Sequence, residues 1–423
     1  MNDISSNKNL IPELDSERWE YNSPREALTP LFEKKNVNAE PVLKIGADGK
    51  FENYGICLCA VPEIQGGETY KFSIKYNAEK VVKENVSIYV MLTWRAEGGN
   101  KVARDYVDNN LKGKDGWNEL YRIIDAPVEA CMLEVELAFR WSEYGSVSWR
   151  KPALLKVEPV AHRKVKVATT LITKFYNTLS DNLNTILNII DRAGKDKPDI
   201  ICLSEAVYSE NVNLPLIQKS DTIPGRLIHA ISEKAKLYRT YIITDLLEKE
   251  GNNFYNTAVL IGRNGEIIGK YRKTHLPLSE AEWGIEPGND YPVFETDFGR
   301  IGIMTCWDHW FPEVARILRI KGAEILFVST MGNAYIQSLA RAVDNGVHVV
   351  VAGNHGPAPS RIINPEGKII GEIVDEQQGV CVEEIDLDKR YYTPWLSVGT
   401  DGEARSIFLK ERRTDTYNML VND

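Results

Sequence analysis

The 423-residue chain is short of long apolar runs. No segment approaches the roughly 18 residues that a membrane-crossing helix needs, so no membrane partner is expected. The opening stretch MNDISSNKNLIPELD lacks the basic stretch and apolar run of a secretory signal. Cysteine is sparse: Cys57, Cys59, Cys131, Cys202, Cys306 and Cys381 lie scattered, without the spacing of a disulfide framework. Cys57 and Cys59 stand two apart in GICLCAV, on one strand face, where they read as small core residues. A reduced, cytoplasmic protein is the reading that follows. Positive charge is also in deficit, with 51 Lys plus Arg against 60 Asp plus Glu. The resulting −9 carries no blocks of either sign and argues against a nucleic acid or an anionic membrane as partner. There is no low-complexity tract and no internal sequence repeat. What is present is the composition of a folded protein, 43% hydrophobic and 26% charged, at a length beyond one ordinary core. Two domains are therefore expected.

The first 160 residues are written in period two. YKFSIKY (70–76) alternates Phe72, Ile74 and Tyr76 with polar neighbours, and MLEVELAFRW (132–141) sets Leu133, Val135, Leu137, Phe139 and Trp141 against Glu134, Glu136 and Arg140. VSIYVMLTW and WNELYRII are further strands, and IQGGE, AEGGN and KGKDGW are turns between them. Half-buried strands with no convincing helix among them imply an all-β sandwich. Beyond a boundary near Pro159, residues 161–423 alternate apolar strands with amphipathic helices. VKVATTLI is a strand, and SDNLNTILNIIDRAG is a helix with Leu183, Ile186, Leu187 and Ile190 on one stripe and Gly194 as its stop. NTAVLIGRNGEIIGKYRK is a hairpin turning at Asn264-Gly265. The pattern continues through RIGIMTC, PEVARILRIKGA, EILFVS and VHVVVAGN. This is an α/β layered domain.

In such domains, sites collect at the carboxyl ends of strands. Three reactive groups stand there: Glu205 closes DIICLSEAV, Lys273 closes IIGKYRKTHLP, and Cys306 closes GRIGIMTC. Each has a plain alternative when taken singly. A strand-end cysteine is more often an inert buried thiol, Glu205 could be a solvated cap, and Lys273 lies in a basic hairpin end. His275 and His309 flank two of them and read equally as hydrogen-bonded structural histidines. Together the three fit one job. A thiol of pKa about 8.5 is little ionised at neutral pH and needs a base, which Glu205 could be if burial raises its own pKa. Attack on an amide carbonyl builds an oxyanion, for which Lys273 supplies charge and the Trp307 N–H a donor.

DIICLSEAV, GKYRKTHLP and GRIGIMTCWDHWFPEVAR, in this order, resemble the three signature blocks of the nitrilase superfamily, the carbon–nitrogen hydrolases. NTAVLIGRNGEIIGKYRK, EPGNDYPVFETDFGRIGI and RAVDNGVHVVVAGN are also similar, so the resemblance runs from about Lys164 to Leu387. It implies a four-layer α-β-β-α sandwich with no metal and no cofactor, Glu205 as general base, Lys273 at the oxyanion and Cys306 as nucleophile. It also implies a second active-site glutamate between lysine and cysteine. LPLSEAEWGIEPG offers Glu280 and Glu282, and Glu280, seven residues after the lysine, is preferred. One departure is Ser204, where the family often has proline.

The Trp307-Asp308 pair followed by FPE is similar to the amidase branches, because true nitrilases tend to carry glutamate where Asp308 stands. The resemblance therefore implies a small-molecule amide or carbamoyl substrate. A nitrilase, an N-acyltransferase and a catalytically silent glycan- or partner-binding protein are the alternatives. Trp307, Asp308 and His309 are expected to wall the pocket, with Tyr255 and Asn256 as weaker candidates, whereas Trp310 and Phe311 could equally pack the next helix on its sheet. The resemblance further implies a homodimer or larger homo-oligomer. The first domain is similar to jelly-roll modules by strand pattern alone. Five of the nine tryptophans lie there, namely Trp19, Trp94, Trp117, Trp141 and Trp149. Exposed, they would offer glycan contact; in the core, they would fill a small sandwich, and the second reading is preferred.

Overall fold

In the computed structural model, the residues described are 8–356, 359–374, 377–395 and 399–420. The start of MNDISSNKNLIPELD and two positions just after VHVVVAGNHG lie outside them. The chain divides into two compact units: Met1–Ala161 together with Tyr392–Asp423, and His162–Tyr391.

The first unit is a β-sandwich. One sheet runs in the order Trp19–Asn22, Tyr54–Val61, Met132–Arg140, Ile88–Arg95, Lys101–Tyr106, Gly399–Glu403, Tyr392–Trp395. The other runs Leu31–Val37, Glu40–Gly46, Ser146–Lys156, Thr69–Glu79, Asn118–Asp125, Asn109–Leu111. Period-two alternation decides what faces inward. Phe72, Ile74 and Tyr76 of one sheet meet Leu133, Val135, Leu137 and Phe139 of the other in a single core. Cys57 and Cys59 join that core. Trp19, Trp94 and Trp149 are buried in it too, so most of the tryptophan surface goes to packing rather than to an open platform. Trp141 departs from the expected face. Its strand ends at Arg140, the backbone turns through φ 50° at Trp141, and the Arg140 guanidinium lies 4.1 Å from the ring. Trp117 is likewise covered on one face, by Arg150 at 4.1 Å.

The last segment does not end the second domain, where the sequence pattern had put it, but returns to the sandwich. The helix Ala404–Lys410 lays Ile407 and Phe408 on Tyr89, Met91, Tyr106 and Ala138, the outer face of the first sheet. That face is apolar enough to demand a cover. Buried Arg122 anchors the return through the Tyr106 carbonyl at 2.6 Å and the Glu403 carboxylate at 3.7 Å.

The second unit is a four-layer α-β-β-α sandwich. Its first sheet runs Ile267–Arg272, Asn253–Ile261, Tyr241–Glu250, Ile200–Cys202, Lys164–Ile172, Gln378–Asp386. Its second runs Val293–Glu295, Arg300–Thr305, Ile325–Ser329, His348–Ala352, Ser360–Ile363, Ile369–Ile373. The central strands of each are parallel and buried on both faces, which explains their unbroken apolar runs. Between the sheets lies a core that includes Val165, Ile200 and Ile243 from one and Ile301, Phe327 and Val350 from the other. The helices Leu179–Gly194 and Arg226–Tyr238 cover one outer face, and Pro312–Ile320 and Tyr335–Asn345 the other.

The helix stripe is nearly as expected, with Leu183, Ile186, Ile189 and Ile190 fully in the core and Leu187 at its edge. Thr178 caps the helix, its hydroxyl accepting the Asp181 N–H at 3.1 Å. Gly194 ends it against the Tyr238 ring, where an added Cβ would fall 2.4 Å away. Both sheets are built in one order: strand, helix, strand, helix, strand, then a hairpin. The sequence shows no repeat, yet the topology does, because each layer needs only the same polarity pattern and not the same residues.

Candidate active site

Three strand ends converge. Glu205 follows Ile200–Cys202, with the strand continued one step by Leu203 N–H donating to the Ile243 carbonyl at 3.0 Å. Lys273 follows Ile267–Arg272 and is pinned through its own N–H to the Asn256 carbonyl at 2.9 Å. Cys306 follows Arg300–Thr305 and opens a short 3₁₀ turn, Cys306–Trp310, before the helix Pro312–Ile320. The backbone is left-handed at Cys306 (φ 45°) and at Ala206 (φ 55°), just after the glutamate. Non-glycine residues adopt that region only where the surroundings hold them, and here one is the thiol residue itself and the other directly follows Glu205.

The Lys273 ammonium is wholly buried and sits between two carboxylates, Glu205 Oε1 at 3.0 Å and Glu280 Oε1 at 2.6 Å. Burial opposes its charge, but Glu205, Cys306 and Glu280 outweigh that and hold its pKa above the ordinary lysine range. Asn256 Nδ2 spans the same pair, donating to Glu205 Oε1 at 2.8 Å and to Glu280 Oε2 at 3.4 Å. Glu205 Oε2 accepts the Met331 N–H at 3.0 Å, and the Glu205 carbonyl accepts from Asn354 Nδ2 at 3.0 Å. Burial pushes the Glu280 carboxyl above its usual range while Lys273 pulls it down. The alternative, Glu282, is exposed. The Cys306 thiol is pushed up to about 12, first by burial and then by the Glu205 charge, with Lys273 and a hydrogen bond to Thr330 acting the other way. It rests neutral and needs a base beside it.

Asp308 is not at the pocket surface. It has no exposed area, and its two oxygens collect donors from both sides of the cleft. Oδ2 accepts the Thr305 N–H at 3.1 Å and the Tyr271 hydroxyl at 2.7 Å. Oδ1 accepts the His275 N–H and the Thr274 hydroxyl, each at 3.0 Å, with His275 Nδ1 also at 3.0 Å. The carboxylate thus ties the turn bearing Cys306 to the segment bearing Lys273. His309 is also fully buried. Burial and then Arg341 and Arg361 lower it to about 3, so it is no base at neutral pH, and its carbonyl accepts from Arg341 Nε at 3.2 Å. Trp307 is 39% exposed and Trp310 47%, their rings 5.7 Å apart. Of this run, these two indoles face outward, while Phe311 stacks on His275 at 4.1 Å. Tyr255 lies under the Arg272 guanidinium at 3.7 Å, whereas Asn256 is inside the site.

Sequence reasoning missed the Met331 N–H, Asn354 and Asp245. Backbone donors leave no trace in residue type. Asp245 does leave one, a carboxylate interrupting the apolar strand YIITDLL.

A family model described as carbon-nitrogen hydrolase matches residues 166–394, more than half of the chain. The chain belongs to the carbon–nitrogen hydrolase family. It is a carbon–nitrogen hydrolase of the nitrilase superfamily, as its relatives also indicate. An omega-amidase of Xenopus laevis is 30% identical over 268 residues, 57% of this chain and 92% of that one. A Schizosaccharomyces pombe protein described as a probable nitrilase is 36% identical over 220 residues, 47% of this chain and 75% of that one. The crystal structure of a carbon–nitrogen hydrolase from Helicobacter pylori superposes with TM-score 0.53 at 21% identity, covering 62% of this chain and 99% of that one, a likeness of fold.

Proposed function

We propose that this hydrolase cleaves the carbon–nitrogen bond of a small carboxamide or carbamoyl compound through a thioester on Cys306. The observation that carries the reading is the buried Lys273 ammonium, held at 3.0 and 2.6 Å between Glu205 and Glu280 next to a thiol presented at a strained turn. Glu205 takes the thiol proton as Sγ bonds to the carbonyl carbon. Negative charge moves to the carbonyl oxygen, where Lys273 Nζ and the Trp307 N–H receive it. Glu205 passes its proton to the nitrogen, the C–N bond breaks, and ammonia or an amine leaves. Glu205 then deprotonates a water that attacks the thioester, and the thiolate departs and regains its proton. Glu280 and Asn256 keep Lys273 and Glu205 in register throughout. The tight fit of Asp308 among its donors supports the amide reading over the nitrile one, since the nitrilase-type glutamate would carry an extra methylene into that space.

The test is release of ammonia from a panel of small amides and ureido acids by the wild type and by Cys306→Ala. The reading requires release that disappears in the variant. Equal release by both proteins, or none by the wild type while Cys306 also resists iodoacetamide, would leave a silent binding protein. Offering the nitrile form of the best substrate, with and without an amine acceptor, separates amidase from nitrilase and acyltransferase.

A further inference from the structure

The mechanism above uses Glu205, Lys273, Glu280 and Cys306 and leaves one further acid of the same cluster without a role. Asp245, on the strand Tyr241–Glu250, is 2% exposed. Its Oδ1 accepts the N–H of Ala206 at 3.1 Å, and its Oδ2 has no hydrogen-bond partner among the described residues. Ala206 is the residue directly after Glu205 and is held in the left-handed region at φ 55°. A left-handed alanine is strained relative to extended or helical backbone, so a contact that fixes its N–H also decides which way Glu205 points. The strand geometry makes that contact available. Cys202 pairs with Ile243 in parallel register, which brings position 245 level with 204, directly before the turn at 205 and 206.

We propose that Asp245 is a positioning residue for the general base: its carboxyl clamps the Ala206 N–H and so holds the Glu205 carboxylate toward Cys306. The proposal rests on the reading of Glu205 as the base of Cys306. The charged and titratable groups around Asp245 are Glu205, Lys273, Glu280 and the Cys202 thiol. Burial and then the Glu205 charge raise the Asp245 carboxyl well above its usual range, against the pull of Lys273. A neutral acid suits the geometry, because Oδ1 acts as a carbonyl-like acceptor and no third anion stands beside Glu205 and Glu280. A charged Asp245 would instead weaken the hold of Glu205 on Lys273 by repulsion.

Asparagine has the shape and the neutrality of the protonated acid and keeps the accepting oxygen, whereas alanine has no acceptor. The experiment compares the wild type, Asp245→Asn, Asp245→Ala and Glu205→Gln. Its readout is the rate of iodoacetamide alkylation at Cys306 between pH 6 and 9, read by peptide mass spectrometry so that exposed Cys131 does not interfere. Thermal unfolding of each variant is recorded alongside. The expected result is that Asp245→Asn stays within about twofold of the wild type with an unchanged pH profile. Asp245→Ala, still folded, falls at least tenfold toward the Glu205→Gln rate. Wild-type alkylation by Asp245→Ala overturns the clamp. A shifted pH profile in Asp245→Asn overturns the neutral acid. Should Asp245→Ala fail to fold, Asp245→Leu, of similar size and without an acceptor, takes its place, and wild-type alkylation by it overturns the clamp. Should Glu205→Gln alkylate like the wild type, the base assignment fails. A wild type that alkylates normally but releases no ammonia from any amide defeats the hydrolytic reading and leaves the clamp intact.

Discussion

Replacing Asp308 distinguishes a strut from a pocket wall. In Asp308→Ala the Thr305 and His275 N–H groups and the Tyr271 hydroxyl lose their acceptor in a site with no exposed area. The Thr274 hydroxyl keeps a partner in Tyr291 at 3.0 Å, and the His275 ring is partly exposed, so these two find substitutes. The Tyr271 hydroxyl can turn to Thr274 Oγ1 at 3.2 Å, which leaves two stranded N–H donors; at roughly 1–3 kcal/mol each, partly relieved by water entering the cavity, they give a loss of about 3 kcal/mol. Set against a domain stability of roughly 5–15 kcal/mol, that is a large fraction. Asp308→Asn keeps one oxygen and turns an NH₂ toward two of the donors, so about half the loss is expected. Urea unfolding of the purified variants measures both, read as a shift in midpoint at constant slope. Because Asp308 also sets the spacing between Cys306 and Lys273, kcat should fall by about 100-fold in Asp308→Asn with KM little changed. An Asp308→Asn protein with the wild-type urea midpoint and only a raised KM would refute the strut and make the side chain a substrate contact.

Two further outcomes follow from buried groups. His309 falls to about 3 from an ordinary 6.5, so between those values the unfolded chain binds a proton that the folded one does not. Stability is therefore lost as pH drops below about 6.5, amounting to about 2 kcal/mol by pH 5, and His309→Leu should flatten that part of a pH series of melting temperatures. Truncating Ile407, 3% exposed, to alanine should cost the sandwich about 2–4 kcal/mol. Hydrogen exchange should then quicken in the peptide 88–95 and stay unchanged in 300–305, and uniform quickening would contradict the placement of the last helix in the first unit.

The layered hydrolase was legible because its signals are local. Parallel strands buried on both faces read as unbroken apolar runs, and Glu205 and Cys306 each follow one, while Lys273 ends the antiparallel edge strand of its hairpin. Asn264-Gly265 marked its hairpin, and Gly265 is indeed left-handed at φ 79°. What escaped depends on pairings between distant segments. Nothing in WDHW distinguishes an aspartate facing a pocket from one facing Tyr271 and His275, because only the fold sets which side is dry. The residues of the helix Ala404–Lys410 fall within the second domain by the sequence pattern until that helix is seen to cover the outer face of the first sheet. Trp141 continues an alternation in sequence that the backbone has already left. The repeated layer order in the second unit could not be read either, since it is conserved in polarity and not in residues.

The connectivity orders events in time. Lys164 pairs with Asp386 and the Leu387 N–H reaches the Arg163 carbonyl at 3.0 Å, so the chain enters and leaves the second unit at neighbouring points. The strand Gly399–Glu403 and the helix after it, which belong to the first unit, are synthesised after the whole of the second. A ribosome therefore delivers every residue of the hydrolase layers before the sandwich can close its first sheet. The unit that begins first finishes second, and its exposed sheet face waits uncovered for the whole interval.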